Sequence, residues 1–114
     1  MANTFKLVTK AGVTSADVIY TPNAVTTILL GIMLGNTTSS QVTATVSLAS
    51  STSNRAGDNN ESNQTVELIT DTPIPAGSSL ELLGGNKVVM EDNDALSVSA
   101  TGSTDVALSI MEIS

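Results

Sequence analysis

Glu91-Asp92-Asn93-Asp94 and Asp58-Asn59-Asn60-Glu61 are the two places in this 114-residue chain where hard oxygen donors cluster. Clustered carboxylates support two kinds of chemistry: holding a cation such as calcium, or dividing general acid and base work between two groups. For calcium, the first cluster offers Glu91, Asp92 and Asp94. Neither cluster has the alternate-position ligands and closing Glu of an EF-hand loop. Asp and Asn also make turns, because both tolerate left-handed backbone and hydrogen-bond to nearby main chain, and turn formation is the expected role of both clusters. Hydrolysis of sugars needs two carboxylates flanking a cleft with aromatic platforms, yet the aromatic side chains are Phe5 and Tyr20, with no Trp. The absence of His and Cys removes the usual general bases, nucleophilic dyads and transition-metal ligands. The chain is therefore read as non-enzymatic, without a cofactor.

Charge narrows the partners. The net charge is −7, and the cations are Lys6, Lys10, Arg55 and Lys87, scattered along the chain. Nucleic-acid binding requires clustered positive charge to displace counterions from phosphates, and an anionic membrane requires the same, so neither partner is expected. No signal-peptide h-region opens the sequence, and Ile28 to Leu34 is too short to span a bilayer. Synthesis in the cytoplasm is the corresponding expectation. Three tripeptides, Asn36-Thr37-Thr38, Asn60-Glu61-Ser62 and Asn63-Gln64-Thr65, match glycosylation sequons and are read as solvated loop residues.

What must position any site is a small all-β domain. Ser, Thr, Val and Ile are frequent and charged residues make up 13% of the chain, a composition that disfavours helices. Short strands are expected at Phe5 to Thr9 and Asp17 to Tyr20. Val25 to Leu34 is the most apolar run; it reads as a strand covered on both faces, with Gly31 marking a bulge or a close approach, over the competing reading of a short buried helix. Val42, Ala44, Val46 and Leu48 share one face of the next strand, and Val66, Leu68 and Thr70 resume the alternation after an exposed polar loop over Ser50 to Asn63. In Thr72 to Gly85, Pro73 and Pro75 mark an edge segment, Gly77 permits a turn, and Leu80 and Leu82 belong to a half-buried strand. This stretch reads as a hinge between front and back halves. Val88 and Met90, then Leu96, Val98 and Ala100, then Val106, Leu108 and Ile110 supply the remaining inward faces. Met111 and Ile113 have the opposite parity, so Ile110, Met111 and Ile113 are the candidate subunit interface, with a bulge or second apolar contact beginning near Ile110. Met33, Met90 and Met111 are read as core or interface filler. The expected architecture is a single antiparallel β-sandwich over residues 1–114, jelly-roll-like, with about eight short strands.

The segments Pro75-Ala76-Gly77-Ser78-Ser79-Leu80, Lys87-Val88-Val89-Met90-Glu91, Asp94-Ala95-Leu96-Ser97-Val98 and Asp105-Val106 through Ile113 resemble small virion structural proteins of tailed bacteriophages of the marine and cyanobacterial type, as does the start Met1-Ala2-Asn3-Thr4-Phe5. Where that family has Gly before the Asp of the turn, this chain has Asn93 before Asp94, and Asn can adopt the same left-handed backbone. The Ser50 to Asn63 loop looks like an insertion relative to shorter members. The resemblance implies a many-copy part of a particle: a capsid decoration protein, or a neck or tail component. It also implies other virion proteins as partners and a homo-oligomer, by analogy a trimer. A carbohydrate-binding or host-adhesion module is the alternative, disfavoured by the scarcity of aromatic residues.

Overall fold

A computed structural model of the chain describes residues 3–50, 64–83 and 86–114. Among these residues there are nine strands and no helix: β1 (Asn3–Val13), β2 (Asp17–Tyr20), β3 (Thr26–Asn36), β4 (Val42–Ala49), β5 (Thr65–Ile74), β6 (Ser79–Leu82), β7 (Val88–Met90), β8 (Ala95–Ala100) and β9 (Thr104–Ile113). Two antiparallel sheets result, one ordered β1-β9-β3-β6 with β7 also on β3, the other β2-β8-β4-β5. β6 lies along Ile32 to Gly35 and β7 along Thr27 to Leu29, so together they act as one interrupted strand on the same flank of β3. The pairs are then nested: β1 with β9, β2 with β8, β3 with β6 and β7, β4 with β5. A long antiparallel ribbon wrapped in this way is a jelly roll.

Nesting overturns the reading of Thr72 to Gly85 as a hinge between halves. Strands from the front half pair with strands from the back half in both sheets, so the chain has no two halves to move. The stretch does keep its predicted parts: Pro73 lies in β5, an edge strand; Gly77 turns with φ 68°; and Leu80 and Leu82 are half-buried.

The core is filled from both inner faces by Leu29, Ile32, Leu34, Val46, Leu96, Val98, Leu108 and Ile110 among others, all nearly inaccessible to solvent. Placing Leu29 and Ile32 on one face of one strand requires a break in the two-residue period. The pairings Leu29 with Ile110 and Gly31 with Ser109 leave Leu30 as an extra residue, which is a β-bulge. Gly31 thus marks the bulge; open space stands over its Cα, so no close approach occurs there. β9 keeps an unbroken register with β1 from Val106 to Ile113, so the irregularity expected near Ile110 belongs to the facing strand. β5 departs from expectation as well. Register shifts beside Val46 bring Ile69 opposite it, leave Thr70 exposed and seat Ile74 in the core.

One polar residue ties the sheets at a corner. Asn36, at the end of β3, is 4% exposed; its Nδ2 donates to the carbonyls of Ser40 (2.8 Å), Ile74 (2.9 Å) and Pro75 (3.2 Å), while its Oδ1 accepts from Thr38 N and Oγ1. The reading of Asn36 as a solvated sequon residue is therefore wrong: its amide nitrogen is committed to main-chain carbonyls. The other two sequon asparagines, and residues 51–63 of the expected loop, lie outside the described residues. At the same end, a Cβ on Gly102 would come within 2.7 Å of Val42 Cγ1 in the core.

Two outcomes follow. Asn36→Asp places a carboxylate against three carbonyl oxygens and should cost about 3 kcal/mol, more than a simple lost hydrogen bond. Gly102→Ala should cost about 2 kcal/mol through overpacking against a β-branched neighbour. Urea unfolding midpoints measure both, and a loss below half of either figure would show that the corner relaxes.

Candidate docking surface

Inner-face positions alternate with outer-face positions along each strand, so the cross-strand register fixes what the β1-β9-β3 sheet turns away from the core. Phe5 stands opposite Met111, Met111 opposite Ile28, and Ile28 opposite Val89, which makes one apolar row across four strands. Directly opposed residues in antiparallel strands bring their Cβ atoms within about 5.5 Å, so the row is a continuous surface. Ile113 continues it at one end, between Asn3 and Thr26; Leu7 lies on the other side, opposite Ser109. Phe5 is 72% exposed, Leu7 69%, Val89 57% and Met33 45%. Met33 is a ridge between two shallow depressions of about 300 Å³ and 330 Å³, one floored by Gly31, Ala107 and Ser109, the other by Gly35 and Ala107. Acidic groups flank the face at both ends: Glu81 pairs with Met33 and Asp105 with Gly35 at one, and Glu91 and Asp92 lie beside Thr26 and Ile113 at the other.

Two expectations meet here. Val25 to Leu34 reads as a run covered on both faces, but this chain covers one: Leu29, Ile32 and Leu34 are in the core, whereas Ile28 and Leu30 are half-buried and Met33 is exposed. Of the candidate interface residues, Met111 and Ile113 do lie on the outer face, half-buried by their neighbours. Ile110 does not. It is 1% exposed, because β9 is an inner strand of its sheet and Ile110 has the parity of Leu108. Phe5, Leu7, Ile28 and Val89 were not singled out from sequence as surface residues; the signal that places them is the register with β9, which no single strand carries.

The acidic turn does not assemble a cation site. Glu91 Oε1 accepts from Thr26 Oγ1 (2.6 Å), Asp92 Oδ1 from Ala24 N (2.8 Å), and Asp94 Oδ2 from Glu91 N (2.9 Å). The three carboxylates of the calcium candidate are thus turned to three separate protein donors, and no group of three or more acidic residues suited to a metal occurs among the described residues. Their role is the turn: Asn93 has φ 72°, as its place before Asp94 leads one to expect, and the turn fastens the segment between β2 and β3. Asp58 to Glu61 lie outside the described residues.

A second polar cluster was not anticipated. The Tyr20 hydroxyl donates to Glu112 Oε2 (2.6 Å) and lies 2.7 Å from Thr27 Oγ1, while Lys6 Nζ is 2.7 Å from Glu112 Oε1. Four strands of two sheets converge there, because Glu112 shares the inward parity of Ile110. Burial, and then the hydrogen bond to the Glu112 carboxylate, push the Tyr20 phenol up to about 12. The hydrogen bonds from Lys6 and then Tyr20 hold the Glu112 carboxyl below its ordinary value. The cluster closes an end of the sandwich.

No family model matches the chain, and no curated protein matches it. Among solved structures it is similar to one of Bacillus endospore appendages, described as a novel family of disulfide-linked pili, with 14% identity over 96% of this chain and 85% of that chain and a TM-score of 0.42. It is also similar to infectious bursal disease virus Gx strain, with 11% identity over 96% of this chain and 36% of that chain and a TM-score of 0.41.

The Tyr20 cluster sets the response to pH. A raised phenol pKa means that the unfolded chain loses its proton first, so the contribution of Tyr20 is complete below pH 10 and is lost as pH rises from 10 toward about 12. For Glu112 the sign is opposite: a lowered carboxyl pKa contributes stability above the ordinary value of 4.5 that is lost as pH falls through the lower folded value. Thermal melts should therefore decline at both extremes. Tyr20→Phe should lower stability at neutral pH and flatten the decline between pH 10 and 12; an unchanged alkaline slope would refute this assignment.

Proposed function

We propose that this chain is a non-enzymatic structural subunit of a bacteriophage particle, a capsid decoration or accessory surface protein that docks through the outer face of its β1-β9-β3 sheet. The observation that carries this reading is the apolar row Phe5, Met111, Ile28 and Val89 on the outside of a domain whose core is already complete. Covering a fully exposed apolar side chain is favourable by about 1.5–3 kcal/mol, and proportionately less for the half-buried Ile28 and Met111; contiguous apolar patches of this kind mark interaction sites. The resemblance to small virion proteins of tailed phages supports the particle context and a location in the virion. A jelly roll of this size suits it, since the nested sheets leave the outer face of one sheet available to a partner.

Many copies held by an apolar face should stay with purified particles and be released by charge on that face. Met33 and Val89 are exposed enough to be changed without disturbing the core. Met33→Asp with Val89→Asp should lower occupancy on particles at least about tenfold, the factor given by about 1.4 kcal/mol, while leaving the melting transition cooperative and within a few degrees. Quantitative mass spectrometry of purified virions measures occupancy. Absence of the wild-type chain from virions, or full occupancy by the double variant, would falsify the reading.

A further inference from the structure

The margins of the two sheets are not alike. β2 spans four residues, β6 four and β7 three, too short to template another strand. β5 spans 10 residues but carries Pro73, Asp71 at φ 45° and two register shifts. Short length, proline and bulges are the devices that protect a sheet edge from pairing with another chain. β1 has none of them over most of its length: it spans 11 residues, contains no proline, and holds an unbroken register with β9 from Asn3 to Lys10. Its two lysines are drawn back to their own chain, Lys6 to Glu112 at 2.7 Å and Lys10 to Asp17 at 3.7 Å. It also bears the two most exposed large apolar side chains among the described residues, Phe5 and Leu7.

We infer that β1 pairs antiparallel with β1 of a second copy, about a two-fold axis at Leu7. Charge selects both the occupant and the register. The chain carries −7 overall, yet β1 has no acidic residue, so pairing along this edge sets no carboxylate of one strand against a carboxylate of the other. Like charges placed directly opposite destabilise an antiparallel pair. A two-fold at Lys6 sets Lys6 against itself, and one at Val8 sets Lys6 against Lys10. The two-fold at Leu7 sets Lys6 against Val8 and Lys10 against Thr4, and it pairs Asn3 through Ala11 with the same span of the second copy. That overlap supplies about ten main-chain hydrogen bonds, as many as an ordinary protein interface holds. Leu7 then meets Leu7, Phe5 meets Thr9, and the outer apolar faces of the two copies join into one. This contact does not depend on the particle role, since it concerns the purified chain alone.

The chain contains no cysteine, so single-cysteine variants report the register without background. Opposed Cα atoms in an antiparallel pair lie about 4.5–5.5 Å apart, within disulfide range. The two copies of Phe5 would be four residues out of register, about 13 Å apart. Wild-type protein should sediment as a dimer. On oxidation Leu7→Cys should form a disulfide dimer, Phe5→Cys alone should not, and an equal mixture of Phe5→Cys with Thr9→Cys should link as a heterodimer. A wild-type chain that sediments as a monomer at every concentration overturns the proposal. So does a dimer that links through Val89→Cys, at the opposite margin of the sheet, while Leu7→Cys stays unlinked. Absence of the wild-type chain from virions, or full occupancy by the Met33→Asp, Val89→Asp variant, with the β1 dimer intact would instead overturn the docking face alone.

Discussion

The bulge at Leu30 is the constraint on which the molecule turns. A strand has a period of two, so Leu29 and Ile32 cannot both face the core unless a residue is inserted between their ladders. With Leu30 as the extra residue, Thr27 and Leu29 point inward before the bulge and Ile32, Leu34 and Asn36 after it. The same shift decides what faces outward: Ile28 on one side, Gly31, Met33 and Gly35 on the other. Core and candidate docking face are two consequences of one insertion in one strand. They are also coupled, because drawing Leu30 into the regular ladder would send Ile32 and Leu34 out and bring Gly31 and Met33 in.

Nested pairing explains why polar residues close the ends of the sandwich. In a jelly roll the strands change sheet at the ends, and the main-chain groups freed there still require partners. Asn36 meets three of them at one corner, where β3 leaves its sheet and β5 ends. Tyr20, Thr27, Glu112 and Lys6 make a second closure where β2 lies against the other sheet. Glu91, Asp92 and Asp94 make a third at the turn between β7 and β8. Two of them look in the sequence like potential site chemistry, a sequon and an acidic run, whereas the phenol of Tyr20 and the carboxylate of Glu112 meet only in the fold. In the fold each is spent on donors and acceptors of the chain itself.

How much of this was legible follows from range. Local period-two alternation identified β4, β8 and most of β9, with their inward residues, because each strand carries its own pattern. Turn chemistry at Gly77 and Asn93 was equally local and was correctly read. Continuous hydrophobicity in Val25 to Leu34 identified β3, and Gly31 marked a bulge or a close approach, but the run did not show which of its residues the bulge turns outward. Ile110 was assigned to an interface because its neighbour Met111 breaks the alternation, whereas the parity of Leu108 and β9's place between β1 and β3 bury it. The docking face was legible only at Met111 and Ile113. Phe5, Ile28 and Val89 join them through three registers between distant strands, and a one-residue slip in any would dissolve the row.

The distribution of charge limits how such a domain can recognise anything. With four cations, of which Lys6 and Lys10 are already paired within the chain, cationic side chains of this protein contribute little to defining a partner. Its acidic surface repels further copies at most approaches, which favours solubility before assembly. The outer sheet offers two terms that do not need charge: the fit of an apolar face with a ridge at Met33 and depressions on either side, and main-chain hydrogen bonding along a strand edge. Both belong to the same sheet, because β1 is its margin and the apolar row begins on β1 at Phe5. A contact along the edge would therefore enlarge the face, and the two modes of association would reinforce rather than compete with each other.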